Sequence, residues 1–172
     1  GGAVPNALPA NARLVATLHD AAGGTAVEGY LDGAIPIGPE ERAGLAAIPF
    51  DEASFHSGLA TTPHGVAGAT TLERLGDWPT IEVNGLWGGY TGAGSKTVIP
   101  AEAHAKITLR LVPGQDPVAA VAAVKRHLLA HAPPGARLTF HGDRGGSRAY
   151  AIPPDHPLLL AAEAALLATT RQ

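Results

Sequence analysis

The clearest pattern along the chain is an alternation of apolar and polar residues over 102–112. Successive side chains of a β-strand point to opposite faces, so this alternation predicts a strand with one buried face and one polar face. The apolar set is Ala103, Ala105, Ile107, Leu109 and Leu111, and the polar set is Glu102, His104, Lys106, Thr108 and Arg110. Two shorter runs predict further strands, over 80–83 and over 137–141 with Leu138 and Phe140 facing inward.

Three longer segments carry apolar residues at helical spacing. The first covers 6–19, with Asn6 as its cap and apolar positions at Leu8, Ala12, Val15 and Leu18. The second begins at Asp116-Pro117, a cap followed by proline at the first helical position, and Pro133-Pro134-Gly135 ends it. Its predicted buried stripe is Val118, Val121, Val124 and Leu128. The third opens at 155–157 and continues to residue 172 without a stop signal.

Residues 20–78 have the weakest pattern, and we expect them to form an insertion that decorates the domain. A strand is predicted over 25–31, and short helices over 38–47, after Asp51 and over 70–75. The order of elements implies an α+β fold, with helices packed on one face of a small, mainly antiparallel sheet.

Composition limits the class of protein. The 172 residues amount to about one domain, and 45% of them are hydrophobic. No run approaches the roughly 18 apolar residues that a membrane span needs. The net charge of −3 does not favour a nucleic-acid-binding surface. The absence of cysteine excludes disulfides, thiolate metal sites and a cysteine nucleophile. The chain contains no methionine and starts at Gly1-Gly2, and together with the uninterrupted last helix this predicts a piece of a longer protein.

The glycine-rich loop over 85–94 is a near match to a phosphate-binding loop. Gly89 and Gly94 have the required spacing, but Ser95 stands where that motif needs lysine, and the residues that follow are extended rather than helical. A mobile loop between two strands is the better interpretation.

Other candidate sites have ordinary explanations. His127 and His131 lie one helical turn apart, but they fall in a last turn where a cation complements the helix dipole, and the protease glutamate is missing. His56 and Ser57 lack a nucleophile elbow. The acidic pair Glu40-Glu41 fits the start of a helix.

Arg110 is the most interesting side chain. A guanidinium can hold a carboxylate through two parallel hydrogen bonds, and the hydroxyl of Thr97 could add a third. Periodicity alone still favours a solvated surface arginine.

The segment over 83–117 changes that balance, because it contains Gly-Ser-Lys-Thr-Val-Ile-Pro over 94–100 and Leu-Arg-Leu-Val-Pro-Gly over 109–114. It strongly resembles the lid, or dimerisation, domain of the carnosinase-related zinc dipeptidases in the aminoacylase/carboxypeptidase superfamily. Residues 1–7 resemble the entry into the first lid helix, and residues 145–157 resemble the return to the catalytic domain.

The resemblance implies a two-domain homodimer in which two zinc ions, held by the catalytic domain, activate water for hydrolysis of short peptides. Arg110 would clamp the substrate carboxylate, Thr97 would add a hydrogen bond, and the loop including Gly94 and Ser95 would approach through its backbone. The family's metal ligands and catalytic base have no counterpart here, and the copy of its His-Ser-Gly motif over 56–58 is a coincidence.

The resemblance also implies the arrangement of the chain. Residues 1–150 would form a ferredoxin-like lid, including the insertion over 20–78, and 151–172 would begin the returning catalytic-domain helix. The first strand of the family's βαββαβ core would precede residue 1, which predicts an exposed sheet edge and poor stability of the isolated chain. The partners would be a second copy, the catalytic domain and a short peptide, in the cytoplasm, with no nucleic acid and no membrane.

Two alternatives stay open. Relatives with the same lid architecture remove acyl groups from N-acyl amino acids, so the parent could be a deacylase. A free-standing αβ interaction module without enzymatic activity would also fit the pattern of elements.

Overall fold

The computed structural model describes residues 2–142 and 146–170. Predictions that involve Gly1, Gly145, Arg171 and Gln172 therefore lie outside the described residues. The elements in chain order are α1 (Ala7–Ala16), α2 (Pro39–Ala47), α3 (Glu52–Gly58), α4 (Thr71–Gly76), β1 (Thr80–Gly88), β2 (Ala103–Arg110), α5 (Pro117–Ala130) and α6 (Pro157–Thr170). This mixture of helices and a small antiparallel sheet confirms the α+β prediction.

The sheet is a hairpin of β1 and β2, paired from Thr80 opposite Arg110 to Gly88 opposite Ala103. The alternation predicted for β2 is confirmed, since its residues alternate between half-buried and exposed along the whole strand. Strand β1 is longer than predicted and includes the first glycines assigned to the loop. A bulge at Asn84 allows this, because it shifts the register so that Gly85 pairs with Lys106.

Two predicted strands are absent from the described part of the chain. Residues 25–31 form turns beyond a single bridge between His19 and Thr25, because Gly29 has a positive φ of 78° that a strand does not accommodate. Residues 137–141 form no ladder, since neither β1 nor β2 pairs with them. The inward packing of Leu138 and Phe140 is nevertheless correct, because both pack against the core.

The hydrophobic core lies between the hairpin, α1 and α5. Its fully buried members are Leu14, Leu18, Val27, Tyr30, Ile81, Ala120, Ala123, Val124 and Leu128. In α5 the predicted stripe is only half correct, because Val118 is 73% exposed and Ala120 and Ala123 are buried instead. Because alanine is small, α5 can approach its neighbours closely on the face that carries Ala120 and Ala123. The spacing of the larger apolar residues did not indicate this face.

Helix starts follow their sequence signals. Asn6 caps α1 by accepting a hydrogen bond from Leu8 N at 3.0 Å, and Asp116 accepts from the first turn of α5. The short helices of the insertion are also confirmed. Thr70 and Glu73 form a capping box at α4, and Arg42 of α2 reaches Glu73 at 2.7 Å, which joins these two helices.

Helix α6 contributes nothing to this core. It consists almost entirely of alanine and leucine, and every one of its residues is exposed. A helix that is apolar all round is normally buried, so α6 presents a surface suited to a further partner. Among the described residues, no helix is long and apolar enough to cross a membrane.

Candidate functional site

The base of the glycine-rich loop is packed against the start of α1. Gly89 has a φ of 69°, and a Cβ added there would lie 2.9 Å from Leu8 and 3.0 Å from Pro100. The carbonyl of Pro100 accepts a hydrogen bond from Ala7 N at 3.3 Å. Glycine is therefore required at position 89 by both the backbone conformation and the close approach of two side chains.

The tip of the loop is held mainly by its own residues. The hydroxyl of Tyr90 donates to Ala93 O at 3.0 Å, and Lys96 Nζ lies 5.8 Å from the centre of the Tyr90 ring. Thr97 is exposed, and around Gly94 nothing lies within 4 Å of where a Cβ would stand. The tip thus offers the exposed Thr97 hydroxyl, with no partner among the described residues, and an open stretch of backbone beside a cleft of about 200 Å³ lined by Tyr90 and Lys96.

The phosphate-loop interpretation finds no support in this geometry. Residues 97–100 after Ser95 and Lys96 are not helical. The helix whose N-terminus would hold a phosphate is therefore missing at this point of the chain.

The polar face of the hairpin carries a row of basic and aromatic side chains. The rings of Trp87 and His104 stack with their centres 5.0 Å apart, and Lys106 Nζ lies 5.7 Å from the Trp87 ring. Thr108 donates a hydrogen bond to the bulged Asn84. Arg110 ends this row at the far end of β2.

Arg110 itself has an exposed side chain for which no salt bridge or hydrogen bond is found among the described residues. Its backbone, in contrast, is fixed. The buried Tyr30 hydroxyl lies 2.7 Å from Thr80 O and 3.1 Å from Arg110 O, so its single proton is shared between the ends of both strands, with the shorter bond to Thr80. The result is a free guanidinium on a rigidly placed backbone, which suits the recognition of an anion.

A second buried group supports the same end of the hairpin. Gln115 is 1% exposed, accepts from Val112 N at 2.9 Å and donates to Tyr30 O at 2.6 Å. Burial and the charge of Glu82 raise the pKa of Tyr30 above its ordinary range, so its hydroxyl stays protonated and remains a donor. The sequence signal for Tyr30 and Gln115 was weak, because both lie in turns that hydrophobic periodicity does not describe.

Thr97 and Arg110 lie towards opposite ends of the hairpin. The loop that carries Thr97 joins the strands at Ala103, and seven residue steps of about 3.4 Å each place Arg110 about 24 Å further along β2. Neither side chain contacts the other in the described structure. Since the hydrogen bonds of the loop tip are internal, the tip is not tied to the sheet in this arrangement.

The histidine candidates are engaged in local contacts. His127 and His131 stack with ring centres 4.1 Å apart, and His127 Nε2 lies 2.9 Å from Thr17 Oγ1 on α1. His56 bonds Thr71 and not Ser57, whose hydroxyl donates to Ser54 O, so no serine and base are paired there. Within the described ranges, no three His, Cys, Asp or Glu side chains meet as a metal site.

Comparison with known proteins decides the family. The family model described as the peptidase dimerisation domain matches residues 1–136. The chain belongs to this family. It contains the glycine-rich loop, β2 and Arg110 within the matched part, and the family prediction drawn from residues 83–117 is confirmed.

The relatives are dipeptidases. This peptidase dimerisation domain is 30% identical over 115 residues to the Cys-Gly metallodipeptidase DUG1 of Candida albicans, covering 66% of this chain and 24% of the relative. It is 30% identical over 121 residues to the human Beta-Ala-His dipeptidase, covering 67% of this chain and 23% of the relative. The chain thus spans about a quarter of the length of the curated relatives it matches.

Solved structures agree on the fold. Human carnosine dipeptidase 1 superimposes with a TM-score of 0.80 at 25% identity, over 98% of this chain and 37% of that one. The M20 family metallo-carboxypeptidase Sso-CP2 from Sulfolobus solfataricus gives a TM-score of 0.64 at 33% identity, over 74% of this chain and 30% of that one.

Proposed function

We propose that this chain is the lid and dimerisation segment of a metal-dependent dipeptidase that hydrolyses short peptides. The observation that carries the proposal is the family match over residues 1–136, with metallodipeptidases among its relatives. The described residues bring no metal ligands together. The two zinc ions expected for such an enzyme would be held elsewhere in the parent protein, and the segment alone would be inactive.

In this proposal Arg110 binds the C-terminal carboxylate of the peptide. Its exposed guanidinium without an acidic partner, on a backbone fixed by Tyr30, supports that role. Thr97 adds a hydrogen bond, and Gly94 and Ser95 allow the loop backbone to approach the substrate. Because the loop tip and Arg110 lie at opposite ends of the hairpin, the role of Thr97 requires the loop to move towards the carboxylate when substrate binds.

The remaining parts of the proposal concern partners. Residues 1–150 would form the lid, including the insertion over 20–78, and pair with a second copy of the chain. Residues 151–172 would return to the catalytic domain, and the exposed apolar surface of α6 supports this, since it needs a covering surface. We place the parent protein in the cytoplasm.

The test is Arg110→Ala in the full-length parent enzyme, assayed on a dipeptide. Loss of a hydrogen-bonded charge pair costs about 1.5–3 kcal/mol, so kcat/KM should fall about ten- to a hundred-fold. Arg110→Lys should recover only part of this loss, since lysine cannot form the paired hydrogen bonds. Arg13→Ala, an exposed arginine on α1, is the matched control. An unchanged kcat/KM in Arg110→Ala would remove Arg110 from the site.

A substrate panel tests the reaction itself. Dipeptides and N-acetyl amino acids with the same C-terminal residue should be compared at equal concentration in the parent enzyme. Faster turnover of the dipeptide supports the proposal, whereas preference for the N-acetyl compound assigns the parent to the deacylases.

A further inference from the structure

A second cleft lies within the insertion, remote from the hairpin. It is a shallow, open cleft of about 190 Å³ between α3, the segment that follows α3, and α4. Its apolar side consists of Phe55, Leu59 and Leu75, and its polar side includes Thr61, Thr62, His64 and Arg74. Binding sites for drug-sized ligands begin at about 300 Å³, so this cleft fits only a small molecule.

The polar side of the cleft contains a buried nitrogen without a partner. Thr71 Oγ1 donates its proton to Glu52, so its 3.0 Å contact with His56 Nε2 requires the imidazole to be the donor. The other ring nitrogen, His56 Nδ1, is completely buried and is the one buried side-chain polar atom found unpartnered among the described residues. With Nε2 protonated, Nδ1 is an acceptor, so a carboxylate would not pair with it, and His56 serves as part of the cleft wall.

The positive charge of Arg74 is also not matched by a contacting acid. Its Nε donates to Val66 O at 3.1 Å, and no carboxylate lies within 4.0 Å of its guanidinium in the described structure. The neighbouring acids have other partners, since Glu52 accepts from Thr71 and Glu73 contacts Arg42 at 2.7 Å. The pKa of Glu52 is lowered first by the hydrogen bond from Thr71, then by His56, and least by Arg74 at longer range.

The third polar group, His64, is held in place by close packing. Its ring lies directly against Gly23, where an added Cβ would stand only 2.1 Å from His64 Nε2. The neighbouring Gly65 N donates to Ala22 O at 3.3 Å. The segment that closes the cleft is therefore fastened to the loop after α1, and the cleft has a defined wall on that side.

We propose that this cleft, which His64 also lines, binds a small organic carboxylate, with the carboxylate at Arg74 and a short branched hydrocarbon body against Phe55, Leu59 and Leu75. The guanidinium without a contacting acid selects a negative charge, and the apolar side selects the body. This site is independent of the peptidase assignment, because it shares no residue with the loop or the polar face of the hairpin.

The probe is 4-methylpentanoate, titrated into the full chain and followed through the imidazole NMR signals of His56 and His64. We expect saturable shifts of both rings. The neutral 4-methylpentanamide should bind at least ten times more weakly, because it lacks the charge. Inorganic phosphate tests whether negative charge alone is enough for binding. It should bind weakly, because it lacks the hydrocarbon body. Phosphate binding as tight as that of the carboxylate, or no saturable shift with any probe, overturns the proposal.

Two variants localise the site. Arg74→Gln should weaken 4-methylpentanoate at least tenfold, whereas Arg13→Gln, an exposed position on α1 outside the cleft, should leave binding unchanged. Since Arg74 also holds Val66 O, Leu59→Trp provides a second variant, because it fills the cleft from the exposed end and should abolish binding. Unweakened binding in Leu59→Trp contradicts the proposal whatever the effect of Arg74→Gln.

Discussion

The hydroxyl of Tyr30 contacts both strands of the hairpin at the end that carries Arg110. It joins the first residue of β1 to the last residue of β2 and thereby fixes the backbone that carries Arg110. Tyr30→Phe removes this donor from the two partly buried hydrogen bonds, so the free energy of unfolding should fall by about 1–2 kcal/mol. Urea denaturation of the chain measures the loss.

Tyr150→Phe provides the control for that measurement, because Tyr150 is 81% exposed and its hydroxyl faces water. The two variants remove the same atom from the same residue type. Equal unfolding free energies for both would show that the Tyr30 hydroxyl does not support the hairpin end.

A functional candidate on a strand with regular alternation of apolar and polar residues was the easiest to identify from sequence. Arg110 closes an alternating pattern, so its exposed side and its position at a strand end follow from the period of two. Tyr30 and Gln115 could not be found in this way. Their role comes from contacts between turns that are distant in sequence, and no local pattern encodes such contacts.

At the scale of elements, His127 couples α5 to α1 through Thr17. Thr17 Oγ1 donates to Leu14 O, so it can only accept from His127 Nε2, which fixes the proton on that nitrogen. Burial, and to a smaller extent the nearby His131, lower the pKa of His127. The neutral imidazole is thus the form that the folded chain prefers.

The sign of the pH dependence follows from that shift. The unfolded chain takes up a proton at His127 near pH 6.5, while the folded chain does so only at lower pH. The unfolding free energy is therefore greatest above pH 6.5 and should decrease as the pH falls through that value towards the folded pKa. Urea denaturation between pH 5 and 8 should show a smaller decrease in His127→Gln, whose amide can still donate to Thr17.

His141→Gln is the control for this experiment, because His141 is exposed and has no contact of this kind among the described residues. The unfolding free energy of His141→Gln should depend on pH in the same way as that of the unmodified chain. A His127→Gln profile as steep as the unmodified one would assign the pH dependence to other groups.

Helices and strands differ in how well local sequence patterns predict them. Helices α1, α3 and α4 start at side-chain caps, because capping is a local interaction between residues a few positions apart. The strand predicted over 137–141 failed for the opposite reason. A strand exists only through hydrogen bonds to a neighbouring strand, and none lies beside this segment in the described structure, although its apolar side chains pack as predicted.

At the scale of the whole molecule, the exposed apolar surface of α6 should dominate the behaviour of the chain in solution. Leu160 is 51% exposed, Leu166 63% and Leu167 54%, and contiguous exposed apolar side chains of this kind mark an interaction surface in a folded protein. We expect the chain to self-associate through α6, and substitution of these three leucines by glutamine should reduce association without lowering the free energy of unfolding. Sedimentation velocity measures the first effect and urea denaturation the second.

The contrasting substitution is Leu128→Ala in the core. Leu128 is 6% exposed, so its truncation should cost about 2–5 kcal/mol of unfolding free energy and leave the association through α6 intact. If the α6 substitutions destabilised the chain as strongly as Leu128→Ala, α6 would belong to the fold of this domain and would not be a surface for a partner.

The bond from Tyr30 to Thr80 also determines how freely the intervening chain can vary. Residues 31–79 leave and rejoin the domain at points that this one hydrogen bond holds together, and the carbonyl of Pro113, beside the close pair Gly33 and Gly114, accepts a second bond from Ile35 N. A loop whose ends already meet loses little when its length changes, since closure entropy depends only weakly on length. The stretch is also attached at Gly65, whose N donates to Ala22 O at 3.3 Å. We therefore expect changes of length between Ile35 and His64 to leave the hairpin and Arg110 in place.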